Sequence, residues 1–251
     1  MSEVDAETRF VGGGVYSNTE IMAAIGARHI VCYPFNSKHV NTSSVDVTLG
    51  HHYYATDRDS LSSLYNPFDE ENVANYFGEP QRAVPFKQLK IAKSVGEIIL
   101  LRNIPPDHPV IVLRPDERIL GHTHEFIGIK PPGTSSMQAR STLGRNGISS
   151  CLDAGWGDSG YINRWTLEIQ NQNPDKHIVL PVGERIAQIV FFHTGPVSGE
   201  YFSDTGKYQA DSSDDLDSII ANWRPEMMLP KAYKDSRQIP APIDGLADGL
   251  K

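Results

Sequence analysis

The chain has 251 residues, which is long enough for one large domain or two small ones with a sizeable buried core. Hydrophobic residues make up 39% and charged residues 22%, as in ordinary globular proteins, and the formal net charge is −8. This acidic balance argues against a nucleic-acid or membrane-surface protein, whereas arginines placed locally can still hold a small anionic ligand.

The predicted elements are short and mostly β. A helix is predicted over 19–27, where Asn18 or Thr19 caps an apolar run. Segments rich in β-branched and aromatic residues follow at close spacing, and they predict antiparallel strands packed as a sandwich or a barrel. These predicted strands cover 44–50, 108–115, 125–132, 161–171, 177–182 and 185–192. A last helix is predicted over 213–223, with acidic residues in its first turn, where the helix dipole favours them.

Two stretches depart from this pattern. Residues 57–85 are polar, acidic and rich in turn formers, which predicts an insertion between strands, either a small helical excursion or a loop. After about residue 212 the composition changes again, and residues 230–251 are predicted to form an extended or loosely docked tail. The expected organisation is one domain over 1–211, with a lid segment at 200–211, followed by a helical or extended tail over 212–251.

The cysteines and the N-terminal residues bear on the compartment. Cys32 and Cys151 give neither a disulfide framework nor a zinc spacing, which indicates two free thiols in a reducing compartment. The first residues lack the basic and apolar regions of a secretory signal, and no apolar run reaches the length of a membrane span. A cytoplasmic protein without a membrane partner is expected.

The segment MQARSTLGRNG, residues 137–147, combines side chains that bind an anion. Arg140 and Arg145 offer charge-assisted donors, and Ser141 and Thr142 offer hydroxyls between them. Gly144 allows the backbone to approach a ligand closely. A solvated hairpin with surface arginines is the alternative. The segment is not a P-loop, because the glycine–lysine pair before a helix is absent.

Two later segments carry further signals. Asp158 and Tyr161 precede a predicted strand that contains Glu168. A carboxylate can bind a sugar hydroxyl, an aromatic ring can pack on a deoxyribose, and a glutamate can transfer protons. An exposed surface glutamate is the alternative for Glu168. In YFSDTGKYQ, residues 201–209, Lys207 and Tyr208 have the character of a lid that closes over a triphosphate, with an ordinary solvated loop as the alternative.

In their order along the chain, these segments resemble the dCTP deaminase and dUTPase superfamily, and its deaminase branch in particular. SSVDVTLG is similar to the early strand motif of that branch, and Thr123 and Glu125 in LRPDERILGHTHEFI are similar to its T-x-E element. RSTLGRNG resembles the phosphate motif R-S-S-L-A-R-x-G. AGWGDSGY and TLEIQN resemble the catalytic motif, GERIAQIVFF the late strand, and YFSDTGKYQ the C-terminal lid.

The resemblance implies a fold, an assembly and a set of contacts. The family fold is an all-β, distorted jelly-roll-like β-barrel, here with short helices near the N-terminus and the C-terminus. It assembles as a homotrimer with active sites between subunits. A magnesium-bound triphosphate lies among the arginine–serine turn, a neighbouring subunit and the lid. The nucleotide contacts implied in this chain are Arg140, Ser141, Thr142, Arg145, Ala154, Trp156, Asp158, Tyr161, Gln188, Tyr201, Lys207 and Tyr208.

The resemblance also implies hydrolytic deamination of dCTP without zinc, since neither H-x-E nor P-C-x-x-C occurs in the sequence. Glu168 is the implied general acid and base, while Ser141, Arg145 and the backbone at Ala154 orient the water and the base. Trp156 stands where deaminases that stop at dUTP carry an arginine, and AGWGD resembles members that continue to dUMP. A dUTPase without deamination and a non-catalytic nucleotide-binding regulator are the open alternatives.

Several residues depart from the family pattern. Cys151 and Asp153 replace a histidine and a threonine, and Asp211 replaces a glutamine of the lid. The added carboxylates change the charge near the base and the γ-phosphate, and with it the expected choice of substrate. The histidines that invite a metal proposal are interpreted instead as ordinary surface or core residues: His51, His52, His122 and His124.

Overall fold

The computed structural model describes residues 13–56, 64–89, 101–152, 155–199, 206–209 and 215–235, and strands dominate them. The helices are α1 (Asn18–Gly26), α2 (Glu70–Phe77), α3 (Ser141–Gly144) and α4 (Leu216–Asn222). The strands are β1 (Ile30–Tyr33), β2 (Val45–Thr48), β3 (His52–Ala55), β4 (Gln81–Arg82), β5 (Val84–Pro85), β6 (Pro109–Leu113), β7 (Arg118–Ile129), β8 (Thr134–Ala139), β9 (Ile148–Ser149), β10 (Trp156–Gly157), β11 (Ile162–Asn171), β12 (Ile178–Pro181) and β13 (Arg185–Phe192).

The described strands pair antiparallel in three sheets. The largest sheet has the order β4-β3-β7-β11-β9, and β1 also pairs with β7. A second sheet has the order β10-β8-β13-β2, and a third the order β12-β6-β5. The mostly-β prediction is therefore confirmed. No sheet closes on itself among the strands that the structure describes, so the jelly-roll-like barrel is not established here.

Every predicted strand is present, although β7 starts at Arg118, well before the predicted start at residue 125. The strands that were not predicted are β1, β3, β4, β5, β8, β9 and β10. The sequence of β8, TSSMQA, is rich in hydroxyls and carries little strand propensity of its own. Its conformation comes from pairing, because β8 lies between β10 and β13.

The predicted N-terminal helix is confirmed as α1, but its cap lies one position earlier than predicted. Ser17 is the N-cap: the backbone N–H of Glu20 donates to Ser17 Oγ at 3.3 Å. In return the backbone N–H of Ser17 donates to Glu20 Oε2 at 2.8 Å, which completes a capping box. The buried side chains Ile21 and Ala24 attach the helix to the core.

Strands β7 and β11 form the centre of the molecule, and a glycine allows them to lie close together. A Cβ at Gly128 would overlap the carbonyl oxygen of Tyr161, so no other residue fits there without a shift of the backbone. Along β11, Leu167 and Ile169 are fully buried, while Thr166, Glu168 and Gln170, which alternate with them, are half-buried. One face of this strand therefore builds the core, and the other is available for a site.

The insertion and the tail both contribute ordered structure. Helix α2 lies within the predicted insertion at 57–85 and begins at its N-cap Asp69, whose carboxylate accepts from the N–H of Asn72. In the tail, the helix predicted over 213–223 is confirmed as α4. Ile219 and Trp223 are buried against Phe126 and Ile162, because α4 presents an apolar face to the central sheet.

Both cysteines are free thiols, as predicted. Burial raises the pKa of Cys32 to about 12, so this thiol stays protonated and packs as a small apolar side chain. Within the described ranges, no helix is both long enough and apolar enough to cross a membrane.

His122 is a buried part of the fold whose hydrogen bonds define its neutral form. Its Nε2 accepts from the backbone N–H of His52 at 3.2 Å, which leaves Nδ1 as the donor to the carbonyl oxygen of Thr123 at 2.8 Å. Burial lowers the pKa of His122 to about 3. Protonation would place a second N–H against the N–H of His52, so the folded protein holds this ring neutral.

We expect acid to destabilise the protein through His122. Its pKa is lower in the folded than in the unfolded chain, so the unfolded chain binds the extra proton and stability falls as the pH drops from about 6.5 towards 3. The loss from this one group is at most about 1.4 kcal/mol per pH unit. Urea unfolding between pH 7.5 and pH 5 measures it. The free energy of unfolding should depend less steeply on pH in His122→Gln than in the wild type. Its dependence on pH should stay unchanged in His177→Gln, a control at an exposed histidine. Equal slopes in the two variants would contradict the assignment.

Candidate functional site

A cavity of about 520 Å³ lies against the face of β11 that the core leaves free. Strand β7, the turn after β10, helix α2 and the tail form its other walls. Its lining residues are Thr56, Tyr65, Pro67, Tyr76, Phe77, Arg118, Ile119, Leu120, Trp156, Gly157, Asp158, Tyr161, Trp165, Thr166, Glu168, Tyr208, Met228 and Pro230. The volume is in the range of small-molecule sites, and the wall combines aromatic rings with a few polar groups, as such sites do.

Glu168 reaches the cavity because of the alternation along β11. It lies between the buried residues Leu167 and Ile169 and so points to the opposite side, together with Thr166. On β7 the register partner of Glu168 is Leu120, which also lines the cavity. The carboxylate is thus held on a rigid strand at the centre of the largest sheet, where a catalytic group is positioned more accurately than on a loop.

Asp158 and Tyr161 reach the same cavity from a tight turn. The N–H of Tyr161 donates to the carbonyl oxygen of Asp158 at 3.0 Å, and the Tyr161 ring packs edge-on against Trp165 with centroids 5.2 Å apart. Gly157 precedes the turn and lies under the Trp165 indole, where a Cβ would overlap the ring. The exposed Asp158 carboxylate therefore stands at the mouth of the cavity beside an aromatic wall.

Trp156 forms part of the rim and is unusually open for its size. The residue is 64% exposed, and its ring lies near that of Phe192, with centroids 6.1 Å apart. An exposed tryptophan beside a cavity is typical of a surface that another molecule covers.

The arginine–serine turn forms a separate cluster around a buried carboxylate. Asp46, only 3% exposed, forms ion pairs with Arg140 Nε at 3.4 Å and with Arg185 NH1 at 3.0 Å. Arg140 NH1 also donates to the carbonyl oxygen of Arg185 at 3.2 Å. Gln188 lies opposite Asp46 in the sheet and donates to the carbonyl oxygen of Ala139 at 3.4 Å. These contacts fix the direction of both guanidinium groups.

The residues that follow Arg140 present their donors to solvent. Ser141, Thr142 and Arg145 are exposed on the single turn of α3. The turn therefore offers hydroxyls and a guanidinium group beside Arg140, and the Asp46 carboxylate neutralises only part of this positive charge.

The lid motif, defined here as residues 206–209, is docked against its own chain. Asn163 Nδ2 donates to the carbonyl oxygen of Tyr208 at 2.7 Å, and the N–H of Ile162 donates to Gln209 Oε1 at 3.2 Å. Tyr208 lines the cavity, whereas the ammonium group of Lys207 forms an ion pair with Asp235. One of the two predicted lid residues therefore reaches the cavity, and the other contacts the tail.

One chain brings together only part of the predicted site. The predicted residues that line the cavity are Trp156, Asp158, Tyr161, Glu168 and Tyr208. Those outside its lining are Arg140, Ser141, Thr142, Arg145, Gln188 and Lys207. Ala154 and Tyr201 lie outside the described residues, as do the departures Asp153 and Asp211.

The cavity also contains residues that were not predicted. Arg118 supplies a cation at the start of β7, while Tyr76 and Phe77 enter from α2 and Met228 from the tail. Phe77 and Met228 pack with Leu120, the residue opposite Glu168 in the sheet. In the sequence, the signal for these residues was the pair Tyr76 and Phe77 at the end of the acidic helix α2. Two neighbouring aromatic residues in a polar segment indicate a face that is buried against the rest of the protein.

Comparison with known proteins identifies the family of the chain. A family profile described as dCTP deaminase-like matches residues 15–194, which include β11, the turn after β10 and the arginine–serine turn. The chain belongs to the dCTP deaminase-like family. This confirms the resemblance in the sequence. The described parts of the lid and of the tail, at 206–209 and 215–235, follow the matched range.

Relatives of this dCTP deaminase-like protein include proteins named dCTP deaminase, dUMP-forming. The one from Beutenbergia cavernae is 30% identical over 196 residues, which cover 77% of this chain and 88% of that protein. The one from Methanopyrus kandleri is 41% identical over 102 residues, which cover 40% of this chain and 52% of that protein, so this match spans about half of the relative. A solved dCTP deaminase from Agrobacterium tumefaciens superposes with a TM-score of 0.49 at 17% identity, covering 77% of this chain and 54% of that one.

No group of three or more histidine, cysteine or carboxylate side chains capable of holding a metal ion occurs in the ranges that the structure describes. The histidines of the sequence analysis form two pairs instead. His52 and His122 lie with ring centroids 5.9 Å apart and His51 and His124 with centroids 6.4 Å apart. Burial lowers the pKa of His51, His52 and His122, which keeps these rings neutral in the fold.

Proposed function

We propose that this protein is a hydrolase that deaminates dCTP and then cleaves the resulting dUTP to dUMP and pyrophosphate, supplying dUMP for thymidylate synthesis in the cytoplasm. The carrying observation is the cavity that joins Glu168, Asp158 and Tyr161 along one wall. Membership of the dCTP deaminase-like family supports it, as do relatives named for the dUMP-forming reaction.

The nucleoside end of the substrate fits the lining of the cavity. Asp158 at the mouth is suited to accept from the 3′-hydroxyl of a deoxyribose, and the Tyr161 ring provides a flat wall where a 2′-hydroxyl would clash. The cytosine then points inward, towards Glu168 and the apolar wall of Leu120 and Met228. In this arrangement the half-buried Glu168 carboxylate would act on the base rather than on the phosphates.

In the proposed deamination, Glu168 handles the protons. Its carboxylate takes a proton from a water molecule as the water oxygen adds to C4 of the cytosine, and it returns that proton to the ring nitrogen next to C4. The C4–N bond of the tetrahedral intermediate then breaks, and the amino group leaves as ammonia after a further proton transfer. One water is consumed, and dUTP and ammonia are formed. Positioned proton transfer of this kind contributes about 10²- to 10⁴-fold to the rate.

The proposed contacts to the triphosphate come from a second copy of the chain. Among the described residues that line the cavity, Arg118 is the one cation, and the arginine–serine turn lies elsewhere on the molecule. We therefore propose a homotrimer of jelly-roll-like barrels in which Arg140, Ser141 and Thr142 of a neighbouring protomer bind the phosphates. In this assembly the exposed Trp156 is covered by the neighbour.

The turn has further proposed roles at the base. Ser141, Arg145 and the backbone at Ala154 would orient the attacking water and the edge of the cytosine, and Tyr201, Lys207 and Tyr208 would close over the nucleotide, with Gln188 supporting the turn. Magnesium fits this arrangement as a partner of the triphosphate. The Asp46 carboxylate is already ion-paired with Arg140 and Arg185, so the metal ligands would be phosphate oxygens and water. The bound ion would neutralise the phosphate charge.

A product assay tests the function. The protein is incubated with dCTP and magnesium, and ammonia, dUTP, dUMP and pyrophosphate are resolved over time. We expect equal amounts of ammonia and dUMP, with pyrophosphate in step. Hydrolysis of added dUTP with inert dCTP would identify a dUTPase instead, and binding of dCTP without any product would identify a nucleotide-binding regulator.

A further inference from the structure

Two residues that follow Pro230 in the tail, Lys231 and Asp235, hold the lid motif in place, and Lys231 makes most of these contacts. The backbone N–H of Lys231 donates to the Tyr208 hydroxyl at 3.1 Å. Its ammonium group donates to the carbonyl oxygen of Lys207 at 3.0 Å and lies 5.3 Å from the centre of the Tyr208 ring. Asp235 contributes an ion pair to the Lys207 side chain. Lys231 therefore contacts both the backbone of Lys207 and the ring and hydroxyl of Tyr208 in the lid motif.

The other side of the lid motif is attached to the central sheet. Asn163, which is 1% exposed, donates to the Tyr208 carbonyl oxygen at 2.7 Å. Gln209 accepts from the N–H of Ile162, the first residue of β11. Tyr208 is therefore held between β11 and the tail, and it is the residue of the motif that lines the cavity.

We propose that Lys231 is a positioning residue that sets the Tyr208 ring at the cavity before the nucleotide arrives. The proposal deepens the proposed function, because Tyr208 is the lid residue expected to contact dCTP. A lid that is already ordered loses less conformational freedom when the nucleotide binds, so binding is tighter than with a free segment. Lys231 is half-buried, and burial lowers its pKa, as expected for an ammonium group enclosed by the motif that it holds.

The first experiment measures how firmly the lid motif is held against the protein in the absence of nucleotide. Trypsin cuts after Lys207, and the carbonyl of that peptide bond is the acceptor of the Lys231 ammonium group. Mass spectrometry follows cleavage of the Lys207–Tyr208 bond in the wild type, Lys231→Ala and Lys234→Ala. We expect cleavage about tenfold faster in Lys231→Ala, because the open population rises, and an unchanged rate in Lys234→Ala, where the replaced side chain is exposed. Equal rates in all three proteins would overturn the proposal.

The second experiment tests whether the contacts of Lys231 with the lid motif affect the binding of the nucleotide. With dCTP and magnesium, Lys231→Ala should raise KM about tenfold and leave kcat within about twofold, since the loss falls on binding and not on Glu168. Lys231→Arg should restore most of the affinity, because a guanidinium group can also donate to the carbonyl oxygen and stack on the tyrosine ring. A KM that is unchanged in Lys231→Ala, or one that arginine does not restore, would overturn the positioning role.

The two measurements separate the failure of this proposal from a failure of the proposed function. If the wild type does not turn over dCTP, the proposed function is wrong, while the cleavage rates still decide whether Lys231 holds the motif, and calorimetry with magnesium and dCTP replaces KM by the dissociation constant. If the wild type is active and Lys231→Ala behaves like it in both experiments, the positioning role is wrong and the function stands.

Discussion

Replacing Glu168 with glutamine should reduce the release of ammonia from dCTP by about 10²- to 10⁴-fold, the range that a positioned general acid and base contributes. The amide keeps the size of the side chain on β11 but cannot accept the proton of the attacking water. Binding of dCTP with magnesium should persist within about threefold, because the proposed phosphate and sugar contacts are made by other residues. Ammonia release under saturating dCTP, together with the dissociation constant from calorimetry, measures both quantities.

The matched control for this prediction is Gln170→Ala. Gln170 lies on the same strand and the same face as Glu168 but does not line the cavity. It should change the rate little, so a loss in Glu168→Gln alone separates chemistry from a disturbance of β11. Ammonia release that continues at the wild-type rate in Glu168→Gln would remove the glutamate from the mechanism.

Mixing two inactive variants should restore activity, which is the second large effect that we expect. Arg140→Ala lacks the proposed phosphate contact and Glu168→Gln lacks the proton-transfer group, and each should be inactive alone. If every site takes the glutamate from one protomer and the arginine from its neighbour, a mixed trimer contains one intact site. Co-expression with two tags and tandem purification isolates mixed trimers, which should show about a third of wild-type activity.

The outcome of this experiment depends directly on where the two groups lie. If Arg140 and Glu168 of the same protomer served one site, no mixed trimer would contain an intact site and activity would stay at the level of the variants. Mass in solution provides the independent control, because a monomer could neither form mixed assemblies nor cover the exposed Trp156. Co-purified Arg140→Ala carrying two different tags should remain inactive.

The sequence by itself determined the local elements and the family. The positions of six strands followed from β-branched and aromatic residues between turn formers, α1 from a capping residue and an apolar run, and α4 from the acidic residues of its first turn, because these signals act within a few residues. The position of Glu168 on the free face of β11 was also readable, since side chains alternate along a strand. Asp158 and Tyr161, which precede the same strand, line the same cavity as Glu168.

Only the tertiary structure decided which distant segments share the cavity. Phe77 and Met228 reach the wall beside Glu168 from an insertion and from a tail that the sequence marked as peripheral, because their burial depends on packing against Leu120. The tertiary structure also showed that the two neighbouring lid residues have different contacts: Lys207 forms an ion pair with Asp235, whereas Tyr208 lines the cavity. Such pairings arise from long-range contacts between elements. The local composition of a segment does not determine which distant segment it will pack against.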